Sequence, residues 1–174
     1  MIQKILDVKN PKLRIKSKTI SVIDKRIREI AKDLTDTISV QKDPEGVGLA
    51  APQIGKNIRM FAMVYGKGIK IVINPKIVSA ENTEILKKNN EPIMEGCLSI
   101  LNYYGPLKRP QKVVLEYQNL DSEIKKTTFK GLSAQIVQHE VDHLNGILFT
   151  DILFKQKASL YKQKGEEWEE VELI

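Results

Sequence analysis

Cysteine occurs once and histidine twice in this chain of 174 residues. A lone cysteine, Cys97, rules out an intramolecular disulfide, so the fold must rest on its apolar core. No apolar run approaches the roughly 20 residues needed to span a bilayer, and no membrane partner is expected. Met1 to Lys18 mixes apolar and charged residues and has no apolar stretch of the kind signal peptides carry. It also contains Asp7, which is foreign to a transit peptide. A cytoplasmic location is therefore expected. Internal repeats and low-complexity stretches are missing too. The length suits one catalytic domain, residues 1–174, around one core.

What the chain has in excess is positive charge, a net +6. The charge is unevenly placed. Five glutamates and no Lys or Arg fall in the last ten residues, which leaves the remainder more basic still. A basic body can attract RNA or another polyanion. No RNA-binding signature accompanies the charge, so a solvated, Lys-rich surface is the expected reading, with no specific nucleic acid as partner.

Apolar spacing predicts a helix over residues 21–40, where Ile23, Ile27, Ile30, Leu34 and Ile38 recur every three or four positions. Ser21 with Asp24 resembles a capping box. A turn-rich loop, Asp43 to Gly48, follows. Strands are expected at Arg59–Tyr65, Ile69–Ile73, Glu84–Lys87 and Lys112–Tyr117, with Glu123–Phe129 as an edge strand. Gly66-Lys67-Gly68 suits a hairpin connection, and Asn119–Ser122 a turn. A second helix is expected from about Leu132 to Asn145, with Ser133 near its start and Gly146 as the glycine after its end. Ser159 to Val171 reads as a third helix interrupted by Gly165. This order predicts an α+β fold: mixed, largely antiparallel sheets around a central metal-binding helix.

Residues 138–146 read Gln-His-Glu-Val-Asp-His-Leu-Asn-Gly. They contain H-E-x-x-H inside a segment already read as helix. Positions i and i+4 share a helix face, so His139 and His143 can bind one ion, with Glu140 beside it. Leu132, Gln135 and Ile136 lie on the face of His139 and are candidate pocket walls. Two surface histidines on an acidic helix are the bland alternative, but both histidines of the chain fall in this one motif. A catalytic site needs a third protein ligand and one open position. Common H-E-x-x-H peptidases take a downstream His or Glu. Here no His follows Gly146, and the downstream glutamates cluster in the tail. Cys97, 42 residues before His139, is the other strong candidate.

Three segments together resemble the peptide deformylase family. They are Gly46-Val47-Gly48-Leu49-Ala50-Ala51-Pro52-Gln53, Glu95-Gly96-Cys97-Leu98-Ser99 and Gln138-His139-Glu140-Val141-Asp142-His143-Leu144. They occur in the family's order, and a looser likeness runs from Lys12-Leu13-Arg14 to about Asp151. The resemblance implies Cys97, His139 and His143 as metal ligands, with water in the fourth position. It implies Glu140 as general base and then acid. Gln53 would donate from its side chain, and Leu98 from its backbone N–H, to the developing oxyanion. Val47 and Gly48, with Leu132 and Ile136, would bind substrate. The resemblance also implies Fe²⁺ as metal, replaceable by Zn²⁺, Ni²⁺ or Co²⁺. The substrate would be the N-formylmethionyl end of a nascent peptide, hydrolysed to formate and a free amine, with the ribosome surface as a further candidate partner.

The chemistry is consistent with this without the family name. A divalent ion acidifies its water toward neutrality, and a neighbouring carboxylate can carry the proton to the leaving nitrogen. Glu95 or Asp142 is the expected acceptor for a histidine N–H, and Arg109 is placed to brace the loop that carries Cys97. Asp142 points away from the histidines on a helical wheel, which favours an ion pair. The stretch after the Cys motif departs from the family pattern: Leu101 stands where proline is common, and Asn102 where glycine is common. Tyr103 and Tyr104 either meet substrate or cover the core. Gln135 is an unusual polar neighbour for a methionine pocket. Two other readings compete with the deformylase one: a zinc endopeptidase, and a basic protein without catalysis that binds RNA or ribosomes.

Overall fold

Asp24 starts the first helix by accepting a hydrogen bond from the Ile27 N–H at 2.9 Å, so α1 runs Lys25–Ser39. The expected start at residue 21 is therefore four residues too early, because the cap is Asp24 itself and not Ser21. Ile30, Ala31, Leu34 and Ile38 form its buried stripe. The computed structural model describes residues 1–171.

Fourteen helices and strands, α1 among them, run in chain order among the described residues, with short 3₁₀ helices at Pro11–Arg14 and Ala51–Ile54. After α1 come β1 Gly48–Ala50, β2 Met60–Tyr65, β3 Gly68–Ile85, β4 Lys87–Lys88, β5 Glu91–Pro92, β6 Glu95–Cys97, β7 Ile100–Gly105, β8 Lys108–Gln118 and β9 Ile124–Lys130. Helices α2 Leu132–Leu144 and α3 Phe149–Lys155 come next, then β10 Leu160–Lys164 and β11 Glu167–Val171. One sheet has the order β1-β2-β3-β8-β9, a second β11-β10-β7-β6, and β4 with β5 makes a small ribbon. Every pairing between these strands is antiparallel, as expected.

The five-stranded sheet is buried on both faces. In β2, Phe61 and Met63 pack toward α2 with Val113, Leu115, Phe129, Val137 and Val141, while Met60 and Ala62 pack toward α1 with Leu34 and Ile38. This explains why β2 is a continuous apolar run instead of an alternating one. A third cluster sits under the other sheet, where Cys97, Leu107, Phe149, Leu153 and Leu160 meet. Helix α2 is thus enclosed between layers, and ten of its thirteen residues are buried.

Two expected strands turn out to be parts of longer ones. Ile69–Ile73 and the first half of Glu84–Lys87 belong to the single 18-residue strand β3, which pairs with β8 across two register shifts. The expected third helix is instead the β10–β11 hairpin. Gly165 at φ +63 turns the chain between Lys164 and Glu167, and in β10 Tyr161 pairs with Tyr104 of β7 and Lys162 with Tyr103. Sheet pairing overrides the helical propensity of its glutamates. Helix α3 was not expected, having only seven residues. Gly146 ends α2 as expected, at φ +73, and a side chain there would meet the Arg14 carbonyl oxygen at 2.5 Å.

Candidate metal centre

Helix α2 and strand β6 meet where the ligand atoms converge. Cys97 Sγ lies 3.3 Å from His143 Nε2, and His143 Nε2 lies 3.2 Å from His139 Nε2. All three ligand atoms fall within 4.8 Å of one another, and all three residues are buried. A tetrahedral ion with metal–nitrogen bonds of about 2.0–2.1 Å and metal–sulfur bonds of about 2.3 Å sets its ligands roughly 3.3–3.6 Å apart. The observed spacings fit such an ion. One thiolate and two imidazoles suit a borderline divalent transition metal.

A buried ionic network orients this cluster. Glu95 Oε1 accepts from His139 Nδ1 at 2.7 Å, which leaves the Nε2 lone pair facing the cysteine and the second histidine. Arg109 holds Glu95 with a two-pronged contact, Nε to Oε2 and Nη2 to Oε1, each at 2.7 Å. Its Nη1 donates to Asp142 Oδ2 at 2.9 Å. Glu95 is therefore the histidine's acceptor, Asp142 is an ion-pair partner, and Arg109 braces β6. Burial drives the Glu95 carboxyl upward, but the His139 and Arg109 hydrogen bonds prevail and bring it down to about 2. The two histidines shift in opposite directions. Burial and the neighbouring His139 hold His143 well below the ordinary range. Burial acts the same way on His139, but Cys97 and Glu95 outweigh it and raise that group well above.

Glu140 lies beside the ligands, 3 % exposed, with Oε2 lacking a hydrogen-bond partner among the described residues. Burial pushes its carboxyl up to about 7. A divalent cation nearby acts in the opposite direction, so this is a group that can both take and give a proton near neutrality. Its place depends on Gly48, where a Cβ would fall 2.2 Å from Glu140 Oε1. The glycine of the first motif is needed for the carboxylate of the third.

Gln53 is fixed by the opposite end of its amide. The Ala50 N–H donates to Oε1 at 2.8 Å, which turns Nε2 toward Cys97 Sγ, at 3.5 Å, and Ser99 Oγ, at 3.2 Å. Val47, Gly48, Gln53, Cys97, Leu98, Leu132, Ile136, His139 and Glu140 all line one cavity of about 200 Å³. Every residue singled out for the site borders this cavity except His143, which is 1 % exposed behind the cluster. Leu132 is half-exposed at its mouth. Sequence reasoning missed Ser99 as the partner of the Gln53 amide and missed Ile93 and Met94 as walls. All three sit in or just ahead of the Cys97 motif, which was the signal available. The two tyrosines divide: Tyr104 lines the cavity, and Tyr103 packs on the third cluster. Asn102 takes the left-handed conformation at φ +67, which asparagine adopts more readily than most side chains.

A buried Cys-His-His cluster, a carboxylate beside it and an adjoining cleft define a metal-dependent hydrolase class of site. Residues 2–159 match the family model described as polypeptide deformylase, and the chain belongs to that family. It is 40 % identical over 151 residues to the peptide deformylase of Dictyoglomus thermophilum, covering 87 % of this chain and 92 % of that one. It is 42 % identical over 141 residues to peptide deformylase 2 of Clostridium acetobutylicum, covering 81 % and 88 %. Among solved structures, it resembles the peptide deformylase of Thermotoga maritima with a TM-score of 0.78 and 33 % identity, covering 87 % of this chain and 97 % of that one. The family is metal-dependent and removes the N-formyl group from nascent peptides.

Proposed function

We propose that this chain, acting as one catalytic domain, hydrolyses the formyl amide of N-formylmethionyl nascent peptides at the cluster of Cys97, His139 and His143. The observation that carries this reading is the convergence of those three ligand atoms next to a buried, unpartnered Glu140 oxygen. Cys97, His139 and His143 would hold the ion, with Fe²⁺ as the resident metal on the strength of the family likeness and Zn²⁺, Ni²⁺ or Co²⁺ as substitutes. When bound, the ion supplies Lewis acidity and acidifies water.

The chain's own residues do the rest. Glu95 keeps the proton of His139 on Nδ1, so that Nε2 remains a donor of electrons. Glu140 takes a proton from the attacking water and passes it to the leaving nitrogen. Gln53, with Oε1 pinned by Ala50, presents Nε2 to the oxygen where negative charge develops, and the Leu98 N–H joins it. Such a donor contributes about 3 kcal/mol to a transition state of this kind. Val47, Gly48, Leu132 and Ile136 wall the cleft for the first side chain, and the apolar walls keep water from the reacting amide. A cytoplasmic location and a ribosome-adjacent role, helped by the basic surface, complete the proposal.

The test uses anaerobically purified protein with its metal content measured. A formyl-Met peptide should release formate, and its acetyl counterpart should not. Absence of formate release from metal-loaded protein overturns the proposal. Cleavage of internal peptide bonds in an unblocked substrate would favour an endopeptidase instead.

A further inference from the structure

The cavity wall carries one polar side chain that the chemistry above does not use. Gln135 sits one turn before His139 on the same face of α2, lines the cavity and is 5 % exposed. Two other buried glutamines nearby have their amides tied down. Gln53 is fixed by Ala50 and Ser99, and Gln138 donates to the carbonyl oxygens of Pro110 and Ala134 at 2.8 and 2.9 Å. The backbone N–H of Gln135 is used within the helix entry, bonding Gly131. Among the described residues no hydrogen bond ties its side-chain amide, and the residue lines the cavity together with Val47, Leu98, Leu132 and Ile136. An untied amide at a cavity wall is available to hydrogen-bond an occupant.

We propose that Gln135 is a specificity-determining residue that reads a heteroatom in the first side chain of the substrate. This inference rests on the deformylase reading. The neighbouring walls Val47, Leu98, Leu132 and Ile136 are apolar and suit an apolar occupant. The amide N–H suits one that also carries an acceptor. A methionine thioether is a weak acceptor, and the sulfoxide oxygen of oxidised methionine is a strong one. The pocket therefore favours methionine over an isosteric hydrocarbon and admits methionine sulfoxide, which a wholly apolar pocket rejects.

The experiment compares formyl-Met-Ala-Ser with its norleucine and methionine-sulfoxide counterparts, using the wild-type protein, Gln135→Met and Gln135→Leu, with kcat and KM separated. Binding of the three unformylated product peptides is measured alongside by calorimetry. In the wild type, methionine should be preferred over norleucine by ~3–10-fold, and the sulfoxide should be turned over within ~10-fold of methionine. Both variants should bring methionine and norleucine to parity and lose at least ~10-fold more on the sulfoxide, mainly through KM and product affinity. Unchanged ratios in both variants, with formate still released, overturn the role of Gln135 alone. No formate from any of the three peptides with the wild type overturns the deformylase reading and this inference with it.

Discussion

The ion pairs around α2 and those of the C-terminal hairpin look alike on paper and differ in every physical respect. Arg109 and Glu95 are each less than a tenth exposed and meet through two bonds of 2.7 Å, with His139 and Asp142 attached to the same network. Lys164 and Glu169 of β10 and β11 meet at 2.5 Å, but both side chains are more than half exposed. The buried network has no water to replace a lost partner, so each member is committed to its neighbours. The exposed pair has solvent as an equal alternative. The distance between charges is therefore a poor guide to what a pair does; burial and the number of shared partners decide it.

The largest effect is expected at Glu140, the buried acid whose Oε2 has no hydrogen-bond partner among the described residues. Glu140→Ala should retain metal yet lose turnover by at least ~100-fold, the usual scale of a positioned acid/base. Metal analysis and formate release on the same sample check this. Full activity would remove Glu140 from the mechanism. Next comes the network itself. Arg109→Met leaves the buried Glu95 and the partly buried Asp142 without their cation, and should cost about 3–5 kcal/mol in urea unfolding. A loss under 1 kcal/mol would show that the interior network behaves like the surface pair.

Much of this site was legible in the sequence because local chemistry dictates it. H-E-x-x-H on a helix places two imidazoles on one face, and the only cysteine of the chain stood in a glycine-flanked motif. The need of a ligating histidine for an acceptor pointed to Glu95 or Asp142, and Glu95 is the one that accepts. The long strand β3 was less legible, because its irregular register with β8 breaks the alternation that reveals a strand. The hairpin at 160–171 was misread as helix for a different reason. Its glutamates favour helix locally, and only the open edge of β7, 55 or more residues earlier, makes strand the better choice. The edge-to-face contact of Trp168 with Tyr104, with ring centres 5.2 Å apart, adds to that preference. Gly48 could be seen as a motif glycine, but not that the Glu140 carboxylate fills the space of its missing side chain.

An intermediate case sharpens the comparison by titration. Asp151 is partly buried, pairs with Arg14 and accepts from the Leu148 N–H at 2.8 Å. Burial raises its carboxyl, but Arg14 and the Leu148 N–H outweigh this and hold it below the ordinary range. A depressed folded value means the stabilisation is full above the unfolded value of about 4 and fades as pH falls through the folded one. Asp151→Asn should therefore lower the thermal midpoint by a constant amount from pH 5 to 8, and the gap to the wild type should close below about pH 4. A gap that persists at lower pH would mean that the charge of Asp151 is not what stabilises α3.

The smallest effect is expected at the hairpin. Lys164→Ala and Glu169→Ala, singly and together, should leave the unfolding midpoint unchanged within error at 0.15 M salt, and the double-mutant coupling should be indistinguishable from zero. Both side chains are solvated, so either can exchange its partner for water at little cost. The hairpin is held instead by the backbone ladder between β10 and β11, by the pairing of β10 with β7, and by the Trp168–Tyr104 contact, none of which these substitutions touch. A coupling as large as that expected at Arg109 would show that the hairpin's outer face is shielded from solvent by something that covers it, and would place the two regions in the same electrostatic class.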